Sequence, residues 1–339
     1  MREALFSTPI TRLFGIRHPI LCGGLHWLAD ARYVAAVVNA GGMGFITCMS
    51  FPGDPQAFRR EVRRCRELCR GKPFGVSLAI SRRAGPERLE PFIDVVVSEG
   101  VRFVETAGDS PAAILGRLKG AGCLVMHKAP TLKHAASAEQ LDVDAIAVVA
   151  GEAGGHPGTV MLPQIIQAPL AADRIRKPLV VAGGMSTGRH LVTAIAMGAD
   201  GMLMGSRMLV ADEIWAHAAY KQHLTTRDEN ATLVVMKALR NHHRVLANET
   251  ARVVAGLDED RVTQFERYAP HAGGELAREA YRSGDFERGL LSVGPSVVFA
   301  DEVKPVEAIF DQIIEEAAEA LRRTARAVVR PAVMEGAEA

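Results

Sequence analysis

Residues 178–208 read PLVVAGGMSTGRHLVTAIAMGADGMLMGSRM, and this stretch decides the fold. It begins with an apolar segment that ends in two glycines, continues with an amphipathic stretch, and closes with a second apolar segment. Short apolar segments without polar alternation are typical of strands covered on both faces, and a glycine commonly ends a helix. Residues 178–208 therefore predict a strand, a helix and a second strand parallel to the first.

The same unit recurs through the first two thirds of the chain. Six more apolar segments precede it, at residues 19–24, 43–48, 73–80, 102–108, 123–129 and 145–155. Eight strands separated by helices form either an open doubly wound sheet or a closed (β/α)8 barrel. Glycine or polar residues stand at the C-terminal end of nearly every segment, which favours the barrel, because its active site gathers at those ends. The sequence therefore predicts an α/β fold of the TIM-barrel type.

The repeating pattern breaks after the eighth strand. Residues 212–285 show several amphipathic helical patterns with no strand signal between them, and they predict a helical insertion that covers the barrel mouth. Residues 305–328 form a strong amphipathic pattern that suits the eighth outer helix. We expect the barrel to comprise residues 1–211 and 286–339, and the insertion to comprise residues 212–285.

Composition excludes several classes of function. The chain has 40 Lys plus Arg against 39 Asp plus Glu, so no net field attracts nucleic acid or an anionic membrane. No apolar stretch is both long enough and free enough of charge to cross a bilayer, and the N-terminus lacks the apolar core of a signal peptide. The five cysteines are scattered and odd in number, which argues against a disulfide framework. We expect a reduced, cytoplasmic protein.

Two glycine-containing turns mark a phosphate site. Gly183 and Gly184 end the seventh strand segment, and Gly205 and Ser206 end the eighth. The loops after these two strands are the usual phosphate position in such barrels, since backbone N–H groups there point at the anion. No GxxxxGK[ST] sequence occurs, and no GxGxxG is well placed, so a P-loop or a dinucleotide-binding domain is not expected.

The remaining polar groups at the strand ends suggest a flat cofactor and a base. Gly23 and Gly24 clear space after the first strand, and we expect Ser77 at the end of the third. Lys128, at the end of the fifth, needs a negative charge beside it if it lies inside a barrel mouth. The N1–C2=O edge of a reduced flavin would supply such a charge.

The segment GEAGGHPG, residues 151–158, places His156 directly after Gly154 and Gly155. Glycines that clear side chains from a histidine indicate a close approach by a ligand, and they favour His156 as a general base or proton donor. Glu152 either orients this histidine or caps a turn. No metal site is expected, because His242 and His243 are adjacent, would point about 100° apart on a helix, and have no HExxH partner.

Several longer motifs together resemble one family across almost the whole chain. They are HPILCGGLHWLADARYVAAVVNAGGMGFIT, MHKAPTLKHA, GEAGGHPG, VVAGGMSTGRHLVTAIAMGADGMLMGSRML and VMKALRNHHRVLAN. They are similar to motifs of the nitronate monooxygenases, formerly 2-nitropropane dioxygenases, which are FMN-dependent TIM-barrel oxidoreductases. The same family includes branches that resemble NAD(P)H:quinone reductases and flavin-dependent enoyl-thioester reductases. HKAPTLKHA and ALRNHHRVLAN are most similar to the quinone-reductase branch.

The resemblance assigns expected roles by position. It implies that flavin contacts come from Gly23, Gly24, Leu25, Ser77, Lys128, Gly154 and Gly155, that the phosphate contacts come from Gly183, Gly184, Gly205 and Ser206, and that His156 is the active-site histidine. This chain departs from the common Gln-Gly-Gly-Met at both ends, where it has Cys22 and Leu25, and Ser77 replaces a common Asn. These departures bear on substrate choice more than on flavin binding.

The resemblance implies oxidation of a nitronate or nitroalkane with O2 to a carbonyl compound and nitrite. The alternative is an NAD(P)H:quinone reductase, with NAD(P)H as co-substrate. Two further hypotheses are an enoyl-thioester reductase and a flavin-binding protein without catalytic activity. Leu233, Val234 and Leu239 either form part of a homodimer interface or pack on the barrel.

Overall fold

The computed structural model describes residues 4–81 and 85–328, and these residues form a closed barrel of eight parallel strands. The strands follow one another around the barrel in chain order, and the last pairs with the first. They are β1 (Ile20–Cys22), β2 (Met43–Thr47), β3 (Gly75–Ile80), β4 (Phe103–Gly108), β5 (Leu124–Ala129), β6 (Ala145–Val149), β7 (Leu179–Ala182) and β8 (Gly201–Met204). Each lies within one of the eight apolar segments, so the predicted barrel is confirmed.

One helix, α1 (Pro9–Phe14), precedes the first strand and lies at the N-terminal end of the barrel, and the helices between the strands cover its outside. The latter are α2 (Ala31–Asn39), α3 (Pro55–Leu68), α4 (Glu90–Ser98), α5 (Ala112–Gly120), α6 (Leu132–Glu139), α7 (Gln164–Arg174) and α8 (Gly188–Ala196). The long C-terminal helix α13 (Val306–Ala327) packs on α8 so closely that a Cβ at Gly188 would collide with its backbone. The helix predicted at residues 305–328 therefore closes the outer ring.

Aromatic side chains fill the N-terminal end of the barrel. Phe14 of α1 lies 5.2 Å from Phe103 and 6.3 Å from Phe45, measured between ring centroids. Gly75 makes room for this cluster, because a Cβ there would lie 2.3 Å from the Phe45 ring. With this end filled by apolar groups, the polar side chains of the interior are confined to the C-terminal end of the strands.

The segment after β8 contains strands as well as helices, so the expectation that no strand lies there was wrong. It comprises α9 (Ala218–Leu224), β9 (Thr232–Val235), β10 (His243–Leu246), α10 (Glu249–Glu259), α11 (Phe265–Ala272) and α12 (Gly274–Ser283). β9 and β10 pair antiparallel, with His243 opposite Val235. The connection takes positive φ at Met236 and Arg240, and the β-branched valines on either side suit strands.

This segment also has its own small core, built from Val235, Met236, Val245, Ala251, Val254, Tyr268 and Leu290. Leu233 and Leu239 pack against that core. Of the two alternatives for these leucines, a homodimer interface or packing on the barrel, the second is corrected, because they pack on the core that α10 and α11 share with the hairpin. Within residues 4–81 and 85–328, no helix is long and apolar enough to span a membrane, and all five cysteines are buried and free.

Candidate active site

The loop that carries His156 is held in place by β10. Gly155 and Arg244 exchange two backbone hydrogen bonds, with N···O distances of 2.9 and 2.7 Å. The Arg244 guanidinium also donates to the carbonyl of Gly151, at 3.1 and 2.9 Å. Two points of attachment on one arginine fix this loop against the inserted hairpin.

Gly154 clears space for the protein's own backbone. A Cβ at Gly154 would lie 2.6 Å from the nitrogen of Gly294 and 2.7 Å from the carbonyl carbon of Val293. The glycines of residues 151–158 had predicted that a ligand lies close to the backbone of this loop. At Gly154 that prediction is corrected, because residues 293–294 of the protein itself occupy the position of a Cβ.

His156 stacks on a second histidine. Its ring centroid lies 4.3 Å from that of His243, with an interplanar angle of 15°. His156 is exposed to solvent as a residue, while the atoms packed around its ring lower its pKa below the ordinary value of 6.5 by desolvation. Burial, followed by the proximity of His156 and His26, holds the pKa of His243 well below that value. Both shifts favour the uncharged form of the ring.

A buried carboxylate stands at the centre of the barrel mouth. Glu105 on β4 is fully buried, and its Oε1 accepts from Ser77 Oγ at 2.7 Å and lies 2.9 Å from Lys128 Nζ. The backbone N–H of Gly24 points to the same oxygen at 3.4 Å. Glu105 follows the interior residue Phe103 by two positions and so faces the same way. Three groups, from β3, from β5 and from the turn after β1, thus meet at one oxygen of Glu105.

This arrangement corrects two expectations. Ser77 lies inside β3 and pairs with Glu105, so it does not end the strand. The negative charge that Lys128 requires is present in the chain as Glu105, so a reduced flavin is not needed to explain why a lysine lies there. Gly24 likewise makes room for neighbouring side chains, since a Cβ there would lie 2.6 Å from the Cβ of Ser77.

The two expected phosphate turns have different neighbours, since a Cβ at Gly183 would lie 2.9 Å from the nitrogen of Ala153, whereas Ser206 contacts Gly294. Gly183 and Gly184 take φ values of 99° and 75°, which favour glycine. Ser206 Oγ accepts a hydrogen bond from the N–H of Gly294 at 2.7 Å, so one lone pair of this hydroxyl is used inside the protein. Its proton remains available as a donor. Leu25 lies beside the second turn, where a Cβ on Gly205 would be 3.7 Å from it.

Glu152 caps a helix and does not orient His156. Its two carboxylate oxygens accept from the backbone N–H of Gln164, the first residue of α7, at 2.8 and 3.1 Å. A carboxylate at this position also opposes the positive end of the helix dipole. Of the two roles open to Glu152, the structure assigns the cap.

The residues at this mouth suit a flavin on two grounds. Glu105 Oε2 is buried without a hydrogen-bond partner, so it can accept from a ligand N–H. It faces Gly23, where a Cβ would lie 3.3 Å away, so bulk is excluded from that side. The described part of the chain holds no group of three or more His, Cys, Asp or Glu residues arranged to bind a metal ion.

Sequence reasoning missed four contributors to this mouth. Glu105 carried a signal, because it is a carboxylate in the middle of the predicted strand segment RFVETAG. His243 was considered only as a metal ligand on a helix, and the strand changes its direction. Ser292 and Gly294 lie in LLSVGPS, where only the glycine is noticeable. Their roles could not be predicted, because they depend on contacts with loops that are distant in sequence.

Comparison with known proteins identifies relatives across most of the chain. The family described as nitronate monooxygenase matches residues 7–316. A Mycobacterium tuberculosis protein named (3aS,4S,5R,7aS)-5-hydroxy-7a-methyl-1-oxo-octahydro-1H-indene-4-carboxyl-CoA dehydrogenase is 33% identical over 246 residues, covering 71% of this chain. The chain spans 66% of that relative's length.

Two other relatives match over nearly their full length. A probable nitronate monooxygenase from Staphylococcus saprophyticus is 25% identical, with 94% of this chain and 99% of that protein covered. The solved structure of FabK from Thermotoga maritima superposes with a TM-score of 0.87 at 29% identity, covering 95% of this chain and all of that one.

Proposed function

Because this chain belongs to the nitronate monooxygenase family, whose members are oxidoreductases, we propose that it is an FMN-dependent enzyme that oxidises nitroalkanes or their nitronates. The observation that supports this proposal most directly is the position of His156, solvent-exposed on the loop after β6 and stacked on His243, where burial lowers its pKa and so favours the neutral imidazole. A neutral imidazole can take a proton from a carbon acid at pH 7, which an imidazolium cannot.

We propose that FMN is held by the residues that the sequence indicated. Gly183, Gly184, Gly205 and Ser206 would bind its phosphate, and Lys128 with the free oxygen of Glu105 would meet the polar edge of its ring. Gly23, Gly24, Leu25 and Ser77 would shape one side of the ring, and Gly154 and Gly155 the loop beside it. When bound, FMN would accept electrons from the nitronate, and O2 would take part in forming the carbonyl compound and nitrite.

In this proposal His156 acts on the substrate. A ring nitrogen accepts the proton from the carbon next to the nitro group, and the imidazolium then pairs with the resulting nitronate anion. Residues 212–285 would restrict water at the mouth. The Gly155–Arg244 backbone pair and the hydrogen bond from Trp27 Nε1 to the carbonyl of Gly274, at 2.8 Å, support that role.

A second candidate follows from the relative named as a carboxyl-CoA dehydrogenase. At 33% identity over 246 residues it is more similar in sequence than the probable nitronate monooxygenase at 25%. A CoA thioester is also a carbon acid next to a carbonyl, so the same neutral histidine would serve its oxidation or, in reverse, the reduction of an enoyl thioester. Reduction of a quinone by NAD(P)H is the third possible function that the experiment below distinguishes.

The experiment is an anaerobic stopped-flow comparison of the FMN-loaded protein with nitroethane, propyl nitronate, an acyl-CoA, NADH and NADPH, with an enoyl-CoA added as oxidant to the reduced protein. Flavin bleaching by the nitro compounds, with nitrite released after O2 is admitted, is the expected result. Replacement His156→Gln should slow the nitroethane reaction at least tenfold and slow the pre-formed nitronate less.

His134→Asn is the matched control, because His134 is an exposed histidine hydrogen-bonded to Thr131, and its replacement should change neither rate. Bleaching by an acyl-CoA alone would establish the second candidate. Bleaching by a reduced nicotinamide, with no nitrite from nitronate, would overturn the proposal in favour of a reductase.

A further inference from the structure

His156 and His243 are a cross-strand pair. Gly155 and Arg244 are bridged as antiparallel neighbours, so the next residue on one segment lies opposite the preceding residue on the other. Those two residues are His156 and His243, and their rings stack at 4.3 Å. The stack thus follows from the backbone pairing and does not depend on a chance rotamer.

His243 is held on its other side as well. Its Nε2 lies 2.9 Å from Ser292 Oγ, and β10 continues into a second backbone bridge between Val245 and Ser292. The strand pairing with β9 places His243 opposite Val235, which is fully buried. His243 is therefore held by Ser292 and by the strand pairing, whereas His156 is exposed to solvent.

The charged and titratable groups around the pair are few. On the hairpin, Arg244 holds the carbonyl of Gly151, and Glu152 on the loop lies near it. From the loop after β1, His26 approaches His243, and Glu275 of α12 lies near His26. With burial as the largest influence on all three histidines, any increase in solvent access to one face of His156 should favour its protonated form.

We propose that His243 is a positioning residue that covers one face of His156 and orients its imidazole toward the open mouth. Ser292 fixes the His243 ring for this purpose. The inference rests on the proposed function, in which His156 exchanges a proton with the substrate. It adds that the pair carries one proton at most, because two stacked imidazolium rings would repel each other at this distance.

The test is a pH titration by two-dimensional NMR of the FMN-loaded protein labelled with 15N-histidine, with His156 assigned from the spectrum of His156→Gln. His243→Ala should raise the titration midpoint of His156 by about one pH unit, since it exposes the covered face. His243→Phe should leave the midpoint within a few tenths of a unit, because a flat ring still covers that face. His242→Ala, at the adjacent half-buried histidine, is the matched control and should leave it unchanged.

Equal midpoints in His243→Ala and the unaltered protein would overturn the proposal, and so would equal shifts in His243→Ala and His243→Phe. If His243→Ala does not fold, Ser292→Ala decides: loss of the nuclear Overhauser contact between the two rings, with a smaller upward shift, is expected, and a retained contact with no shift refutes the role. The NMR result does not depend on any substrate. A shifted midpoint without nitroalkane turnover would therefore reject the proposed function and leave the positioning role intact.

Discussion

The ammonium group of Lys128 lies 2.9 Å from a carboxylate oxygen of Glu105, and Glu105 is completely buried. Two neighbouring strands thus bring opposite charges together at the C-terminal end of the barrel. A buried pair of this kind costs desolvation, which its mutual attraction and the hydrogen bond from Ser77 offset.

Removing one partner of this pair should destabilise the protein. Lys128→Met leaves the Glu105 carboxylate buried without its counter-charge, and we expect a loss of roughly 3 kcal/mol in the free energy of unfolding. Lys128→Met combined with Glu105→Gln should lose clearly less, because no charge is left unpaired. Urea unfolding of both variants checks this, with the exposed Lys133→Met as the neutral control. A double variant as unstable as Lys128→Met, or less stable, would contradict the role of the unpaired Glu105 charge.

Gly154 and Gly116 should respond in opposite directions to alanine. At Gly154 the added Cβ would meet the backbone of residues 293–294 at 2.6 to 2.7 Å, so Gly154→Ala should cost on the order of 1–3 kcal/mol. At Gly116, inside α5, nothing lies within 4 Å, and alanine should stabilise the helix by about 0.5–1 kcal/mol. The melting temperature should fall in Gly154→Ala and rise in Gly116→Ala, relative to the unaltered protein. A neutral Gly154→Ala would mean that the crossing segment moves aside freely.

Ser206→Ala should weaken both the fold and FMN binding. It leaves the N–H of Gly294 without its acceptor, which should cost about 1–3 kcal/mol in unfolding free energy. If this turn holds the phosphate, the increase in melting temperature on adding FMN should also shrink relative to the unaltered protein. Ser137→Ala, at an exposed serine on α6, serves as control. An undiminished FMN effect in Ser206→Ala would remove this serine from the proposed phosphate site.

Acid should destabilise the protein well before its carboxylates titrate. Burial lowers the pKa of His18 and of His127 to about 4, and both side chains are almost fully buried. The unfolded chain binds these protons near pH 6.5 and the folded chain does not. The contribution of these two histidines to the free energy of unfolding is therefore complete above about pH 6.5. It falls as the pH approaches 4, by up to roughly 3 kcal/mol for each histidine.

Urea unfolding at pH 7.5, 6.5, 5.5 and 4.5 measures how the free energy of unfolding depends on pH. His127→Gln, which keeps a polar group near Thr106, should reduce this pH dependence, because one of the two titrating histidines is removed. Unfolding free energies that stay constant down to pH 4.5 would contradict the assignment of these histidines as neutral in the folded state.

Much of the fold was accessible from local sequence signals. The apolar segments around Val180 and Val148 could be placed as strands because such runs, bounded by glycine, have few other stable forms in a protein of this composition. The hairpin at residues 232–246 was missed because its hydrophobic residues fit a helical spacing nearly as well, and the pairing that decides between them lies in the tertiary structure.

The sequence by itself determined the eight-stranded barrel and the glycine turns at Gly183 and Gly205, and it predicted the end at which a site would lie, since hydrophobic periodicity and turn chemistry are local properties of the chain. Only the tertiary structure decided which side chains meet there. Glu105 reaches Lys128 through the register of β4 and β5, and His156 meets His243 through an antiparallel bridge between distant segments. A one-residue change of register would turn each of these side chains to the opposite face, and no local pattern encodes that choice.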